Sequence, residues 1–104
     1  MIKVYLEKKE NKIHKITIKG HALYDDFGKD IVCAGVSSIL ITTINGILKI
    51  DQTLISYTAE SGSVTVNVLK QNEICFLLLE NMMDLLNELQ EKYKKNIKIE
   101  EVSL

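Results

Sequence analysis

A chain of 104 residues has room for one two-layer hydrophobic core, so we expect a single domain over residues 1–104. The net charge of −1 supplies no strong field for nucleic acid or a membrane surface, and all 13 basic residues are lysine, which excludes bidentate recognition of phosphate by arginine. The sequence predicts neither a signal peptide nor an apolar run of membrane-spanning length. Its two cysteines are expected to be thiols in a reducing compartment, which places the chain in the cytoplasm.

The first part of the chain alternates apolar and polar residues, which is the spacing of strands. Residues 2–6 and 16–18 are predicted to pair as a hairpin across the charged turn EKKENK. Residues 21–30 follow neither a helical nor a strand period. Because Gly20 and Gly28 bracket most of that segment, we predict a loop that is able to move.

From Ile31 the apolar residues recur every three or four positions, which predicts a helix to about residue 48. This helix is apolar on several sides, so it is either largely buried or meets a partner chain on one side. A second hairpin is predicted over residues 52–69 around Ser61-Gly62, then a helix over residues 72–93 and a last strand over residues 96–102. The order ββαββαβ indicates an α+β fold, a two-layer sandwich of one mostly antiparallel sheet and two helices.

The polar loop and the helix after it contain a candidate thiol nucleophile. If Asp30 caps the helix, Cys33 is its third residue, where free amides and the helix dipole favour thiolate over thiol. His21, at the end of a strand, is placed to take the Cys33 proton and to form a thiolate–imidazolium pair. The structural alternative is that Cys33 is a small buried hydrophobe and His21 a hydrogen-bonded surface residue.

Two further residues of this segment have open roles. Asp30 either only caps the helix or also orients His21, as the third member of a catalytic triad does. Ser37 lies one helical turn after Cys33, where its hydroxyl bonds either the sulfur or its own backbone. The two histidines and two cysteines show no zinc-binding spacing, so we expect no metal and no cofactor.

The stretch GHALYDDFGKDIVCAGVS, from Gly20 to Ser37, closely resembles the signature of the ribosomal-processing cysteine protease family, Prp. The similarity extends to the chain length, to the order of elements and to the helix rich in leucine and methionine. It therefore covers nearly the whole chain, and the string of residue types and gaps is far more specific than a lone Cys–His pair.

The resemblance implies a cytoplasmic, homodimeric endopeptidase that removes a short N-terminal extension from bacterial large-subunit ribosomal protein twenty-seven, cutting after an aromatic residue. The family's nucleophile matches Cys33 and its histidine matches His21. Its aspartate and serine match Asp30 and Ser37. Neither a membrane nor nucleic acid is required. Expected substrate-binding positions around this site are Gly20, Ala22, Tyr24, Phe27, Gly28 and Ala34.

Two other classes of function compete with a protease. A noncatalytic α+β module associated with the ribosome or RNA predicts salt-dependent RNA affinity and no peptide cleavage. A thiol-based redox sensor is a third hypothesis, but neither cysteine has a resolving partner nearby in the sequence.

Overall fold

A computed structural model describes residues 1–20 and 31–104 of the chain. In these two ranges the elements follow in the predicted order ββαββαβ, and the α+β fold class is confirmed. The elements are β1 (Ile2–Lys9), β2 (Lys12–Lys19), α1 (Ile31–Ile50), β3 (Ile55–Glu60), β4 (Ser63–Val68), α2 (Glu73–Lys92) and β5 (Ile97–Ser103).

The five strands form one sheet in the order β3-β4-β2-β1-β5. All neighbours are antiparallel except β1 and β5, which run parallel. The predicted charged turn between β1 and β2 is wrong in extent, because Lys9 pairs with Lys12 and only Glu10 and Asn11 form the turn. Both turn residues have positive φ, 53° and 67°, as a two-residue turn matched to the twist of a hairpin requires.

One face of the sheet and the two helices share a single hydrophobic core. Alternation along the strands directs every second side chain into this core, because successive strand residues point to opposite faces. The central strands supply Val4 and Leu6, Ile16 and Ile18, and Val64 and Val66, all of them buried. The core therefore fixes which face of the sheet receives the helices.

Helix α1 is apolar around most of its circumference. By length and composition it is the one helix in the described ranges that would be able to cross a membrane, which corrects the expectation that no such segment exists. A core helix of a soluble protein meets the same test, and six α1 side chains are buried in the core. Its opposite side is open, with Ile31, Ile41 and Ile50 half or more exposed.

Helix α2 lies antiparallel to α1, since Gly35 near the start of α1 meets Leu89 near the end of α2. Asn72 caps α2 by accepting a hydrogen bond from the Cys75 amide at 2.9 Å. The spacing of its apolar residues predicts a stripe that includes Met82, Leu85 and Leu86 but not Met83. The structure differs at two positions: Leu85 is 40% exposed, and Met83 is buried. The end of α2 is joined to β5 by a 2.6 Å hydrogen bond from an Ile99 amide to a Gln90 side-chain oxygen.

Candidate active site

Cys33 is the third residue of α1, as predicted, and its side chain is 4% exposed. Val32, Cys33 and Val36 are all buried, so Cys33 is on the side of the helix that packs into the core. The first turn of α1 contains no acidic side chain. Amides at a helix start lack intrahelical acceptors and stabilise negative charge, so this position favours a thiolate.

Two other predicted site residues lie on α1 close to Cys33. Ser37 is one turn further along the same face of the helix and is half-buried. Ala34 is exposed on the adjoining side of the first turn.

Gly20 ends the described part of the chain before the site and is held in a demanding conformation. Its φ is +77°, and its amide donates a 3.0 Å hydrogen bond to the Gly62 carbonyl. A Cβ at residue 20 would stand 2.5 Å from the Met1 carbonyl oxygen. Only glycine fits this combination of positive φ and close backbone approach.

Six of the predicted site residues lie outside the described residues. They are the proposed base and helix cap, together with four of the substrate-binding positions: His21, Ala22, Tyr24, Phe27, Gly28 and Asp30. The roles predicted for them from the sequence stay predictions. Within the described ranges, Gly20 lies at the same end of the sheet as the β3–β4 turn. The start of α1 lies at this end too, because Gly35 meets Leu89 near the end of α2, and the chain after α2 returns to the start of β1 through the bond from the Ile2 amide to the Asn96 carbonyl.

Sequence reasoning overlooked the two backbone carbonyls that surround Gly20. Met1 and Gly62 are distant from Gly20 along the chain, and a carbonyl leaves no mark on residue type. The sequence held one indication of the contact with Gly62. The Ser61-Gly62 pair predicts a hairpin turn, but it does not predict that this turn lies next to Gly20.

The second cysteine is also buried and is also the third residue of its helix, but Glu73 adds an acidic side chain to the first turn of α2. Cys75 is fully buried in α2, and burial raises the pKa of its thiol because a thiolate would lose its hydration there. A thiol with a raised pKa supplies little nucleophile at neutral pH. Because a nearby carboxylate disfavours a thiolate and the first turn of α1 from Ile31 onward has no acidic side chain, Cys33 is the better candidate of the two.

Comparison with known proteins identifies the family of this chain. A family model described as cysteine protease Prp matches residues 1–98. The chain belongs to the cysteine protease Prp family. This confirms the resemblance based on residues 20–37 and favours a cysteine peptidase over the noncatalytic and redox alternatives.

Individual members of the Prp family support the assignment over almost the full length. The ribosomal processing cysteine protease Prp of Staphylococcus aureus strain Mu50 is 31% identical over 93 residues, which are 86% of this chain and 88% of the relative. The structure of the S. aureus Prp, described as an essential ribosomal processing protease, in complex with a substrate peptide superimposes with a TM-score of 0.88 at 25% identity. That match covers 98% of this chain and 100% of the other.

A second S. aureus Prp structure carries a covalently linked product peptide. It matches with a TM-score of 0.88 at 27% identity and covers 98% of this chain and 100% of the other. A Streptococcus mutans protein has the same fold, with a TM-score of 0.86 at 21% identity over 100% of this chain and 96% of its own.

Proposed function

We propose that this chain is a cysteine endopeptidase that removes the short N-terminal extension of bacterial large-subunit ribosomal protein twenty-seven, cutting after an aromatic residue. The observation that carries the proposal is the match, over 98% of the chain, to an S. aureus Prp with a covalently linked product peptide. A nucleophilic side chain that attacks a peptide carbonyl forms a covalent bond to the product. Because bacterial ribosomes assemble in the cytoplasm, the proposal also places the enzyme there.

Cys33 is the nucleophile of the proposed reaction. Its thiolate attacks the scissile carbonyl, and His21 first accepts the thiol proton and then gives it to the leaving amine. Water hydrolyses the acyl-enzyme and regenerates the thiol. The amides at the start of α1 stabilise the thiolate and the oxyanion of the tetrahedral intermediate, because both are anions at a helix N-terminus.

The remaining site residues support this step. Asp30 orients His21 and caps α1, and Ser37 supports the thiol from one turn away. The extended substrate lies along Gly20, Ala34 and the segment between them, in which Ala22, Tyr24, Phe27 and Gly28 are the contacting positions.

Access to Cys33 is a separate requirement of the mechanism. With 4% of its surface exposed, the thiol has to be uncovered before a peptide carbonyl reaches the sulfur. Attack needs the two reacting atoms within about 3–3.5 Å of each other. We therefore propose that substrate binding is coupled to a rearrangement that exposes Cys33, which adds a step before acylation.

The proposal is tested with a peptide that spans the cleavage junction of the organism's own ribosomal precursor. We expect the purified protein to produce two fragments by mass spectrometry, with the cut directly after the aromatic residue. A matched peptide with alanine at that residue is expected to be cut at least about tenfold more slowly, because an apolar pocket loses its occupant. If both peptides are cut at the same rate, the aromatic preference is wrong, and if neither is cut, the substrate is wrong.

We also propose that the enzyme is a homodimer that pairs through the open side of α1. Its exposed positions Ile31, Ser38, Ile41 and Asn45 recur at spacings of seven, three and four residues, and Ala34 stays with the substrate-binding positions. That spacing forms the straight seam along which two helices pack. The seam carries no charge, so two copies related by a twofold axis meet there without repulsion.

Ile41→Glu is expected to convert the dimer into a monomer, because each interface would then bury two carboxylates near the twofold axis. Sedimentation velocity measures the change. Ile74→Glu is the matched control, since Ile74 is equally exposed, at 54% against 50%, but lies on α2. A dimer that survives Ile41→Glu, or is lost in Ile74→Glu, would place the interface elsewhere.

A further inference from the structure

A pocket of about 330 Å³ lies at the end of the molecule opposite to Cys33. The β1–β2 hairpin forms one wall, and the segment from the end of β4 to the start of α2 forms the other. Helix α1 runs for about 25 Å beyond Cys33, at roughly 1.5 Å per residue. The turn after α1 meets the second wall, where the Leu54 carbonyl accepts hydrogen bonds from the Leu69 amide at 2.8 Å and the Lys70 amide at 3.3 Å.

The lining of this pocket is basic although the whole chain is slightly acidic. Lys9, Lys12 and Lys70 line it together with His14, against one carboxylate, Glu10. The lysines come from the two walls and converge only in the fold. Three ammonium groups around one opening attract an anion more strongly than the net charge of −1 suggests.

Two of these lysines are held in place by neutral oxygens. Lys12 Nζ donates to Gln71 Oε1 at 2.8 Å, and Lys70 Nζ donates to Thr53 Oγ1 at 2.9 Å. An ammonium group has three donors, so each of these bonds positions the group without neutralising it. Asp51 offsets part of the Lys70 charge: hydrogen bonds from Thr53 lower the pKa of the Asp51 carboxyl most, and Lys70 contributes a smaller share.

The pocket also has an apolar wall. Phe76 is half-buried in the lining, with Lys12 Nζ 5.7 Å from the centre of its ring, and Leu69 beside it is 58% exposed. A carboxylate would engage the lysines and leave this wall in water. A nucleotide uses both parts, because its base stacks on an aromatic ring while its phosphate contacts ammonium groups.

We propose that this pocket binds single-stranded nucleic acid, with one phosphate between Lys12 and Lys70 and one base against Phe76. The proposal goes beyond peptide cleavage and does not depend on it. It attaches a nucleic-acid contact to the end of the protease remote from its thiol, so that a peptide and a nucleic acid are able to bind at the same time.

The test measures fluorescence anisotropy of a labelled uridine hexaribonucleotide with the full chain. Lys12→Gln/Lys70→Gln is expected to weaken binding at least about tenfold and to reduce the slope of log affinity against log salt by about one. The matched control is Lys94→Gln/Lys95→Gln, which removes the same charge from two exposed lysines after α2. It is expected to change the affinity less than about twofold.

Two further arms separate nucleic acid from other anions. Phe76→Leu keeps an apolar side chain but removes the ring, and is expected to weaken hexanucleotide binding by about threefold or more. A hexaglutamate peptide is expected to bind at least about tenfold more weakly than the hexanucleotide, because it has no base to stack. Equal binding of the two ligands would overturn the proposal in favour of a general anion pocket.

Amide chemical shifts provide a measurement that needs no variant. Addition of the hexanucleotide is expected to shift the amides of residues 9–14 and 69–71 and to leave those of residues 92–98 in place. Shifts confined to residues 92–98, equal weakening in both double variants, or no binding by the unmodified chain would each overturn the proposal.

Discussion

Replacement of Cys33 by alanine is expected to lower the rate of cleavage of the ribosomal extension peptide by at least about 10⁴-fold. The reason is that the proposed reaction passes through a bond to the Cys33 sulfur, and no other group in the described first turn of α1 is a comparable nucleophile. Fragment yield under single-turnover conditions measures the loss. Cys33→Ser, which nearly preserves the volume of this buried residue, is expected to be equally inactive at neutral pH because a hydroxyl ionises far less readily.

Cys75→Ala is the matched control for the loss of a thiol. Cys75 is buried in α2, and its raised pKa keeps it protonated at neutral pH, so its removal is expected to change cleavage less than about threefold. The cavity left behind is expected to lower the free energy of unfolding by about 1 kcal/mol. Cleavage that persists in Cys33→Ala and disappears in Cys75→Ala would reverse the assignment of the nucleophile.

The fold was predictable where local periodicity and core packing agree. Alternation in β4 and the spacing in α2 each identify an element within one or two residues of its observed bounds. Strand pairing extends beyond what the local pattern predicts. Lys9 and Lys12 are typical turn residues, yet they pair with each other in the ladder between β1 and β2. Hydrogen bonds between strands override the preference of charged residues for a turn.

The candidate site was predictable only in its local part. The position of Cys33 in the first turn of α1 follows from nearby residues, because the helical period begins at Ile31. The backbone contacts of Gly20 do not follow from nearby residues, because the two carbonyls that meet it belong to Met1 and to Gly62. Contacts between backbone atoms distant in the chain leave no pattern in a single sequence.

Net charge was the least informative part of the sequence about the surface. A total of −1 argues against nucleic acid for the molecule as a whole, yet it averages over separate regions. Lys12 and Lys70 are 58 positions apart in the chain and reach the same pocket only because β2 pairs with β4. The local charge of this pocket is therefore predictable only when the order of the strands in the sheet is known, and a count of charged residues does not give that order.

Gly20→Ala is expected to lower the free energy of unfolding by about 2–4 kcal/mol. Its positive φ of +77° costs an alanine about 1–2 kcal/mol, and the added Cβ stands 2.5 Å from the Met1 carbonyl oxygen, so the backbone has to move. Urea unfolding followed by circular dichroism measures the loss. Cleavage is expected to fall with it even well below the unfolding midpoint, because Gly20 directly precedes His21.

Gly62→Ala separates the two causes. Gly62 has nearly the same φ, +75°, but apart from its chain neighbours no atom of residues 1–20 and 31–104 lies within 4 Å of the position that its Cβ would take. Gly62→Ala is therefore expected to lose only the conformational cost of about 1–2 kcal/mol. The difference between the two variants therefore isolates the close approach of Met1. Equal losses would mean that the N-terminal residue gives way freely, and that Gly20 is required for its backbone conformation alone.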